Sequence, residues 1–326
     1  MKTNWRGLIA ALLAALCGAP VLAFSQAYPA RPIRLMVPFE PGAAGVDYVV
    51  RLITPKMSEG LGQPVVIENR AGANGMIGAE LVARAAPDGY TLLFTTPSTH
   101  VTSVFLLKKM PFDPVRDFTP ISAAVEPATC IVTNVSLPVT TVAELIDYAK
   151  RNPGKLSYGS AGIGSTYHFA AERLKLAAGI DMVHVPYKSA PSSLTAVVSG
   201  QIQVSFTTVA SAMPQVKAGK IRVLGVIERV RHPRFPDIPS VSETVPSFEK
   251  PASWFGYFGP AGLPQPIVAR LNAEIVKSLN SREVSAKLEE SAMFVIGSSP
   301  AEFAAALARG YEVYGEAAKA AGVKPE

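Results

Sequence analysis

Apolar and polar residues follow two periods along this chain, and each period predicts a different element. Short apolar runs such as IRLMVPF (33–39), PVVIENR (64–70) and YTLLFTT (90–96) have the length and β-branched content of buried strands. Between them, VDYVVRLITPKMSEGLG (46–62) and IGAELVARAA (77–86) carry apolar residues at helical spacing. This order predicts a βαβαβ unit with parallel strands and right-handed helical crossovers.

The pattern starts again after Phe118 and continues almost to the carboxyl terminus. A proline-rich passage at 228–251 has no regular period and is predicted to connect two parts of the fold. Strand-like segments lie at 129–134, 155–160, 182–187, 202–208, 221–227 and 253–260. Helix-like segments lie at 141–152, 166–179, 192–199, 210–219, 264–280, 282–292 and 300–321.

This alternation extends over more residues than one compact core usually holds, so it predicts an α/β protein of two lobes. We expect residues 28–122 and 228–326 to form lobe 1 and residues 123–227 to form lobe 2. Each lobe is predicted to contain a mostly parallel sheet flanked by helices. The chain then crosses between the lobes twice, which places a cleft at the hinge.

The first 27 residues have the order of a secretory signal peptide. Positive residues precede an apolar run that is too short to span a bilayer, and small residues offer cleavage after Ala23 or Ala27. A buried N-terminal helix is the alternative, and the leucine before Cys17 disfavours a lipoprotein. We therefore expect an exported, periplasmic protein.

Composition and motif spacing argue against several classes of function. The formal net charge is +6, but no block of Lys and Arg marks a nucleic-acid arm. A mild positive charge suits anionic ligands, and it equally serves solubility alone. The glycines of AGANGMIG (71–78) are spaced G-x-x-G-x-x-G and no Walker-type G-K-[ST] occurs, so no nucleotide cofactor is expected. The histidines lack metal-ligand spacing, and only Cys130 remains after cleavage, so we expect neither a metal site nor a disulfide.

Four loops combine Gly, Pro, Ser and Thr where a strand runs into a helix: PFEPGAAGVD (38–47), TTPSTH (95–100), GSAGIGST (159–166) and FTTVAS (206–211), with VPYKSAPSS (185–193) nearby. In open α/β sheets, ligands bind beyond the carboxyl ends of the strands. Helix N-termini there offer unpaired N–H groups and partial positive charge, which attract anions. Ordinary turn chemistry is the alternative for each loop taken singly. Two such loops facing each other could clamp one carboxylate.

The segment YGSAG (158–162) raises the question of a serine nucleophile. A nucleophile elbow requires Gly where this chain has Tyr158. His168 follows Ser160 by eight residues, within a predicted helix, which is an unusual place for the base of a triad. We therefore expect no enzymatic activity. An exported serine hydrolase using Ser160 or Ser165 stays as the alternative.

Seven segments together carry a family resemblance: YPARPIRLMVPFEPGAAGVD, GQPVVIENRAGANGMIGAE, APDGYTLL, KLSYGSAGIGSTYHFAAE, VHVPYKSAPSS, SGQIQV and KAGKIRVLGV. With them the mature chain resembles, over essentially its whole length, the Bug family of periplasmic substrate-binding receptors for tripartite tricarboxylate transporters. The resemblance implies a monomeric, two-lobed periplasmic binding protein of the Venus-flytrap type, without a cofactor. Such a receptor closes on a small carboxylate, does no chemistry on it, and delivers it to membrane transporter subunits.

The resemblance also implies a set of ligand contacts in the loops after the strands. The expected contacts or near contacts are Phe39, Glu40, Pro41, Gly42, Ala43, Ala44, Asp47, Thr96, Ser98, His100, Ser160, Ala161, Gly162, Gly164, Ser165, His168, Tyr187 and Thr207.

Three departures from the family pattern bear on specificity. The usual P-G-G-x-x-D of the first loop has become Gly42-Ala43 with one extra residue before Asp47, and the usual Y-K-G reads Y-K-S at 187–189. Thr207 stands where an acid is common. The lost carboxylate removes a partner for a ligand amine and spares a second ligand carboxylate from repulsion. We therefore expect a non-amino organic acid, aromatic or dicarboxylic.

Two alternatives keep the two-lobed shape but change the role. A ligand-sensing domain like that of LysR-type regulators would need a DNA-binding helix-turn-helix where this chain has a signal peptide. A receptor that signals to a membrane kinase leaves no motif of its own and stays open. In the receptor hypotheses, ligand contacts to both lobes exist only in the closed form, so binding favours closure.

Overall fold

The computed structural model describes residues 28–42 and 45–325; the predicted signal peptide (1–27), Ala43, Ala44 and Glu326 lie outside the described residues. Within this part of the chain, two sheets are flanked by helices. The strands are β1 (Ile33–Val37), β2 (Val65–Asn69), β3 (Thr91–Thr95), β4 (Phe118–Pro127), β5 (Thr129–Asn134), β6 (Ser157–Ser160), β7 (Val183–Pro186), β8 (Val204–Thr208), β9 (Ile221–Val226), β10 (Phe255–Pro260) and β11 (Met293–Val295).

The helices follow the strands in the predicted alternation. They are α1 (Val46–Leu61), α2 (Met76–Ala83), α3 (Ser103–Leu106), α4 (Val142–Arg151), α5 (Thr166–Ala178), α6 (Ala190–Val198), α7 (Val209–Lys217), α8 (Val241–Thr244), α9 (Gln265–Leu279), α10 (Arg282–Glu290) and α11 (Pro300–Ala320). A 3₁₀ turn precedes α2 (Ala73–Gly75) and a π turn precedes α3 (Ser98–Thr102). Across 28–42 and 45–325, none of the helices has the length and apolar character needed to cross a membrane.

Capping residues set several helix boundaries. Helix α5 begins after Ser165, whose side chain accepts the N–H of His168, and ends at Gly179 in the left-handed conformation with φ 63°. The capping box expected at the start of α4 is half formed: Thr141 accepts the N–H of Glu144 at 3.1 Å, but the Glu144 carboxylate accepts from Thr140 instead.

The α/β fold with two lobes is confirmed, but the expectation of mostly parallel sheets is wrong. The six-stranded sheet of lobe 1 has the order β11-β4-β10-β3-β1-β2, and the five-stranded sheet of lobe 2 has the order β7-β6-β8-β5-β9. Parallel pairs are β1–β2, β1–β3, β6–β7 and β6–β8; the pairs that involve β4, β5, β9 and β10 are antiparallel. The physical reason is that these strands carry the chain between the sheets. They are therefore not joined to their neighbours by the helical crossovers that make strands parallel.

The first crossing is direct, because only Ala128 separates β4 from β5. The predicted boundary at 122/123 falls inside β4, which stays in the first sheet to Pro127. On the return, Val241 and Phe248 still pack in the core of the second sheet. We propose that the lobes divide at Ala128 and again after Phe248.

Helices cover both faces of each sheet, because successive side chains of a strand point to opposite faces and the apolar ones must be buried on both. In lobe 1, Leu35 faces the core under α1 and α9, whereas its neighbour Met36 faces the core under α2 and α11. In lobe 2, Ile131 faces α4 and α5, and Cys130 faces α6 and α7. Because helices cover both faces, the carboxyl ends of the parallel strands remain the place for a site.

Candidate ligand-binding site

A cleft of about 500 Å³ lies between the two sheets. The residues that line it come from both lobes and from both crossing segments. They are Phe39, Gly45, Val46, Tyr48, Thr96, Pro97, Ser98, Pro127, Thr129, Ala161, Ser165, Thr166, Tyr167, Ala190, Pro191, Thr207, Thr208, Ala210, Ser211, Ser253, Phe255, Ser291 and Met293.

The N-termini of four helices open into this cleft. Lobe 1 contributes the first residue of α1, Val46. Lobe 2 contributes the first residues of α5 and α6, Thr166 and Ala190, and the second residue of α7, Ala210. The first-turn N–H groups of a helix have no acceptor within the helix, and the aligned peptide dipoles add partial positive charge. The cleft is therefore suited to an anion approached from both lobes.

Hydroxyl groups supplement the backbone donors. Ser165 Oγ accepts the N–H of His168 at 3.2 Å as an N-cap, so its own hydrogen is free to donate into the cleft. Thr208 Oγ1 likewise accepts the N–H of Ser211 at 3.2 Å, but it donates its own hydrogen to Ser211 Oγ at 2.8 Å, so the Ser211 hydroxyl is the one left to donate into the cleft. On the lobe 1 side, Thr96 Oγ1 lies 2.7 Å from a second hydroxyl, that of Ser98.

The part of the lining drawn from the described residues includes no Asp, Glu, Lys or Arg side chain. A carboxylate would be neutralised there by peptide dipoles and hydroxyl donors rather than by a cation. An ammonium group would be desolvated without a counter-ion. The remaining wall is apolar, with Phe39, Val46, Phe255 and Met293 available to contact a hydrocarbon skeleton.

Asp47 stands behind the cleft and organises the first loop. Its Oδ2 accepts the N–H of Gly42 at 3.0 Å and the Arg51 Nε–H at 2.8 Å. The hydrogen bond from Arg51 holds the pKa of Asp47 below its usual range. Of the other predicted residues in this loop, Phe39 lines the cleft; Glu40, Pro41 and Gly42 are exposed outside it, and Ala43 and Ala44 lie outside the described residues.

His100 was expected near the ligand, but the structure places it in the core of lobe 1. Its side chain is fully buried, and its ring stacks on Phe258 with centroids 4.1 Å apart. Burial lowers the pKa of His100 to about 3, so the imidazole is neutral at ordinary pH. Of the predicted residues in the second loop, Thr96 and Ser98 do line the cleft.

The loop from Ser160 to Ser165 has two faces. Ala161 and Ser165 line the cleft, whereas Ser160 is fully buried and its Oγ lies 2.7 Å from His184 Nε2. His184 is thus a hydrogen-bond partner of Ser160, whose hydroxyl also donates to the carbonyl of Gly162 at 3.0 Å. Sequence reasoning missed this partner because the two residues are 24 positions apart.

The other predicted residues of lobe 2 divide in the same way. Gly162 and Gly164 lie within the loop and His168 stands behind it; the cleft lining includes none of the three. Tyr187 packs at the edge of the second sheet and gives only its backbone N–H to Ser160 O, at 3.2 Å. Thr207 lines the cleft as predicted.

The floor of the cleft is attached to a group of charged residues at the crossings. The N–H of Thr129 donates to both carboxylate oxygens of Glu228, at 3.0 and 3.1 Å, and Ser253 Oγ donates to Glu126 at 2.7 Å. Lys250 pairs with Glu126 and lies 3.3 Å from Glu228. Burial raises the pKa of Glu228 to about 7. We call Glu126, Glu228 and Lys250 the hinge cluster.

Sequence reasoning missed two kinds of lining residue. Thr166, Thr208 and Ser211 lie in loops that were singled out, and their position at helix starts was the available signal. Thr129 and Phe255 lie on crossing strands, where the chain carries no local signal of a site.

Comparison with known proteins identifies the family. Residues 49–308 match the model of the "Tripartite tricarboxylate transporter family receptor". The chain belongs to this family. It is 37% identical over 277 residues to the UPF0065 protein in the tcbD-tcbE intergenic region of Pseudomonas sp. (strain P51), covering 84% of this chain and 82% of that protein. It is 32% identical over 268 residues to Protein BugT of Bordetella pertussis, with 82% and 81% covered.

Solved structures of this family have the same fold. R. palustris Rpa4515 with adipate is 35% identical, with a TM-score of 0.77 over 92% of this chain and all of that one (100%). MatC from Rhodopseudomonas palustris with bound malate is 31% identical, with a TM-score of 0.71 over 89% and 99% of the two chains. The resemblance to Bug receptors is therefore confirmed, and the protein is a solute-binding receptor rather than an enzyme.

Proposed function

We propose that this receptor binds a small organic carboxylate without an amino group and delivers it to the membrane subunits of a tripartite tricarboxylate transporter. The observation that carries the proposal is the convergence of four helix N-termini on a cleft whose described lining has no charged side chain. Such a cleft stabilises an anion and gives an ammonium group nothing to pair with.

The ligand we propose has two carboxylates, or one carboxylate on an aromatic ring. Donors stand on both sides of the cleft, at α1 and Thr96 in lobe 1 and at α5 to α7 in lobe 2. The side chains of Phe39, Phe255 and Met293 supply an apolar wall for the carbon skeleton between them. Adipate and malate, named with two of the similar structures, are both dicarboxylates without an amine, which supports this ligand class.

Closure follows from the same contacts. A ligand that bonds to both lobes gains its full set of hydrogen bonds only when the lobes close, so binding shifts the population towards the closed form. We propose that the closed monomer is what the transporter recognises. Export of this monomer would use residues 1–27 as the signal, with cleavage after Ala23 or Ala27.

Matched acids test the ligand class directly. The mature protein is unfolded, refolded to remove bound ligand, and heated with succinate, glutarate, adipate, malate or benzoate. Aspartate and glutamate serve as controls because they differ from succinate and glutarate by one amino group. A ligand at about 100 times its dissociation constant adds about 2.7 kcal/mol and raises Tm by several degrees. Equal shifts with glutamate and glutarate would contradict the proposal.

The contact between Ser160 and His184 is the geometry that the alternative hypothesis, an exported serine hydrolase, would require. Against it, Ser160 Oγ lies on a fully buried residue outside the cleft lining, where no acyl group can reach it. Hydrolysis of p-nitrophenyl esters of mono- and dicarboxylic acids is expected at the same background rate for the wild type and for Ser160→Ala. Turnover that disappears in the variant would restore this candidate.

A further inference from the structure

The loop from Ser160 to Ser165 is held from its rear face by two histidines. His168 Nδ1 accepts the N–H of Gly164 at 3.1 Å, and His184 Nε2 lies 2.7 Å from Ser160 Oγ. The two imidazole rings stack with centroids 4.0 Å apart and planes inclined by 13°. Both ends of the loop therefore depend on one pair of rings.

These hydrogen bonds define the protonation state that the loop needs. Because Gly164 donates to Nδ1 of His168, that nitrogen must be unprotonated and the ring proton must be on Nε2. A second proton would convert the acceptor into a donor that faces another donor. The conformation of the loop is thus compatible with neutral His168 only.

Protons can reach the pair without entering the ligand cleft. His168 and His184 line a crevice of about 740 Å³ on the other side of the loop. Its remaining lining comes from Leu106, Ile163, Glu172, Lys175 and residues 320–324. The crevice is separated from the ligand cleft by the loop itself, whose Ala161 and Ser165 face the cleft.

Burial and the charge of Lys175 favour the neutral form of the pair at ordinary pH, whereas the Glu172 carboxylate opposes them at His184. Tyr158 stacks on His184 at 4.9 Å and donates to Glu172 at 2.6 Å, and Lys175 pairs with Glu172 at 2.9 Å. Burial, then the charge of Lys175, lowers the pKa of His168 to about 4; burial, then the neighbouring His168, lowers the pKa of His184 to about 4. From lobe 1, Lys324 of the C-terminal segment is the charged residue that lines the same crevice.

We propose that His168 and His184 are positioning residues that hold this loop in its ligand-binding conformation, and that protonation of His168 releases the loop. Neutral His168 fixes Gly164, and with it the Ser165 hydroxyl and the first turn of α5. The stacked rings disfavour two charges, so the pair takes up one proton before the second, and the loop is released in the form that carries this proton on His168. This inference rests on the proposed function, since it assigns the loop a role in ligand binding.

The first test needs no ligand. Hydrogen exchange of the Gly164 amide is measured from pH 7 to pH 3.5, as a protection factor relative to Ile131 in the centre of β5. Wild type is expected to lose Gly164 protection below about pH 4, while His168→Asn, which keeps an acceptor but does not titrate, should not. A Gly164 protection factor that stays constant in the wild type would overturn the proposal.

The second test uses adipate as the probe. Its dissociation constant is measured for the wild type and for His168→Asn at each pH, and the first is divided by the second. Protonation of adipate itself affects both constants equally, so it cancels in this ratio. With a His168 pKa of about 4, the ratio should be near 1 at pH 7, about 2 at pH 4 and about 4 at pH 3.5. His168→Leu, which lacks the acceptor, should bind adipate at least about tenfold more weakly than His168→Asn at every pH. Rescue by Asn separates positioning from general packing.

A matched control is His232, which is buried outside the cleft lining and also accepts a backbone N–H on Nδ1, from Arg234 at 3.2 Å. His232→Asn should follow the wild type at each pH. A constant ratio for His168→Asn, or a pH-dependent one for His232→Asn, would overturn the inference. If adipate binds none of the proteins at pH 7, the proposed ligand class fails, and Gly164 exchange still decides whether His168 holds the loop.

Discussion

The ring of Tyr314 on α11 meets the ring of Phe169 on α5 edge to face, with centroids 5.5 Å apart, although the two residues belong to different lobes. The Tyr314 hydroxyl also lies 3.2 Å from Thr166 Oγ1, on the first residue of α5 and in the lining of the cleft. The last helix of lobe 1 therefore supports an element of lobe 2 that lines the cleft.

Removing this hydroxyl should affect both stability and binding. In Tyr314→Phe, Thr166 and the carbonyl of Ala252 lose a buried partner, which should lower the free energy of unfolding by about 1–3 kcal/mol. Binding of adipate should weaken as well, because Thr166 loses its support. Urea unfolding and calorimetry measure the two effects. Tyr148→Phe is the control, since the Tyr148 hydroxyl has no hydrogen bond to any described residue, and a similar loss there would refute the explanation.

Ser165 has a structural role as an N-cap and a proposed role in ligand binding, and substitution can separate the two. Ser165→Ala removes the N-cap of α5, at a cost of about 1 kcal/mol, and also removes a hydroxyl donor from the cleft. Thr141→Ala removes the N-cap of α4, outside the cleft lining, at a similar cost in stability. We expect about tenfold weaker adipate binding for Ser165→Ala only. Equal affinities in titration calorimetry would mean that Ser165 is only a cap.

Thr207 tests the electrostatic basis of ligand choice. Thr207→Asp introduces a carboxylate into a cleft that lacks charged side chains among the described residues, so like-charge repulsion should weaken adipate binding by at least about tenfold. Thr207→Asn has nearly the same shape without the charge and should lose much less. The same Thr207→Asp substitution should increase the affinity for glutamate relative to the affinity for glutarate, because the new carboxylate can pair with the amino group of glutamate. If the Thr207→Asn and Thr207→Asp variants lose the same affinity for adipate, the shape of the side chain rather than its charge controls ligand binding at this position.

The hinge cluster should make stability depend on pH. The folded-state pKa of Glu228, about 7, is above the ordinary value of 4.5, so the folded protein holds more protons than the unfolded chain between these values. The contribution of Glu228 to the free energy of unfolding is therefore lost as pH rises from 4.5 to 7. Glu228→Gln should gain stability relative to the wild type over that interval, measured from urea midpoints at pH 5 and pH 7.5.

Glu243 provides the control for that measurement. Its hydrogen bond from Arg231 lowers the pKa of the carboxyl to about 2, so it is ionised in the folded protein throughout the interval. The stability difference between Glu243→Gln and the wild type should therefore be the same at pH 5 and pH 7.5. A Glu228→Gln difference that is equally constant would show that Glu228 is already ionised at pH 5.

Local pattern was enough to find most elements but not their directions. The run TCIVTN coincides with β5, because a buried strand has continuous apolar character whatever its neighbours are. Strand β4 (FTPISAAVEP) has prolines and small residues, and β11 has three residues, so neither has a recognisable period. The antiparallel pairs were missed because strand direction depends on where the chain crosses between the sheets.

The site was predictable to the level of the loop. Phe39, Thr96, Ser98, Ala161, Ser165 and Thr207 were expected in the cleft and line it. Ser160 and Ala161 are adjacent in the chain, yet the side chain of Ser160 is buried on the rear face of the loop, whereas Ala161 faces the cleft. The direction of each side chain depends on groups far away in the chain, such as His184, and no local motif contains that information.

The amino-acid sequence by itself determined the alternation of strands and helices, the family, and the glycine- and hydroxyl-rich loops that start the helices. These features arise from contacts between residues close in the chain, so period, capping and composition express them. Only the tertiary structure decided that His100 belongs to the core, that His168 stands behind its loop, and that Thr129 and Phe255 help line the cleft. Those placements result from packing between segments on different strands and lobes, which residues adjacent in sequence do not encode.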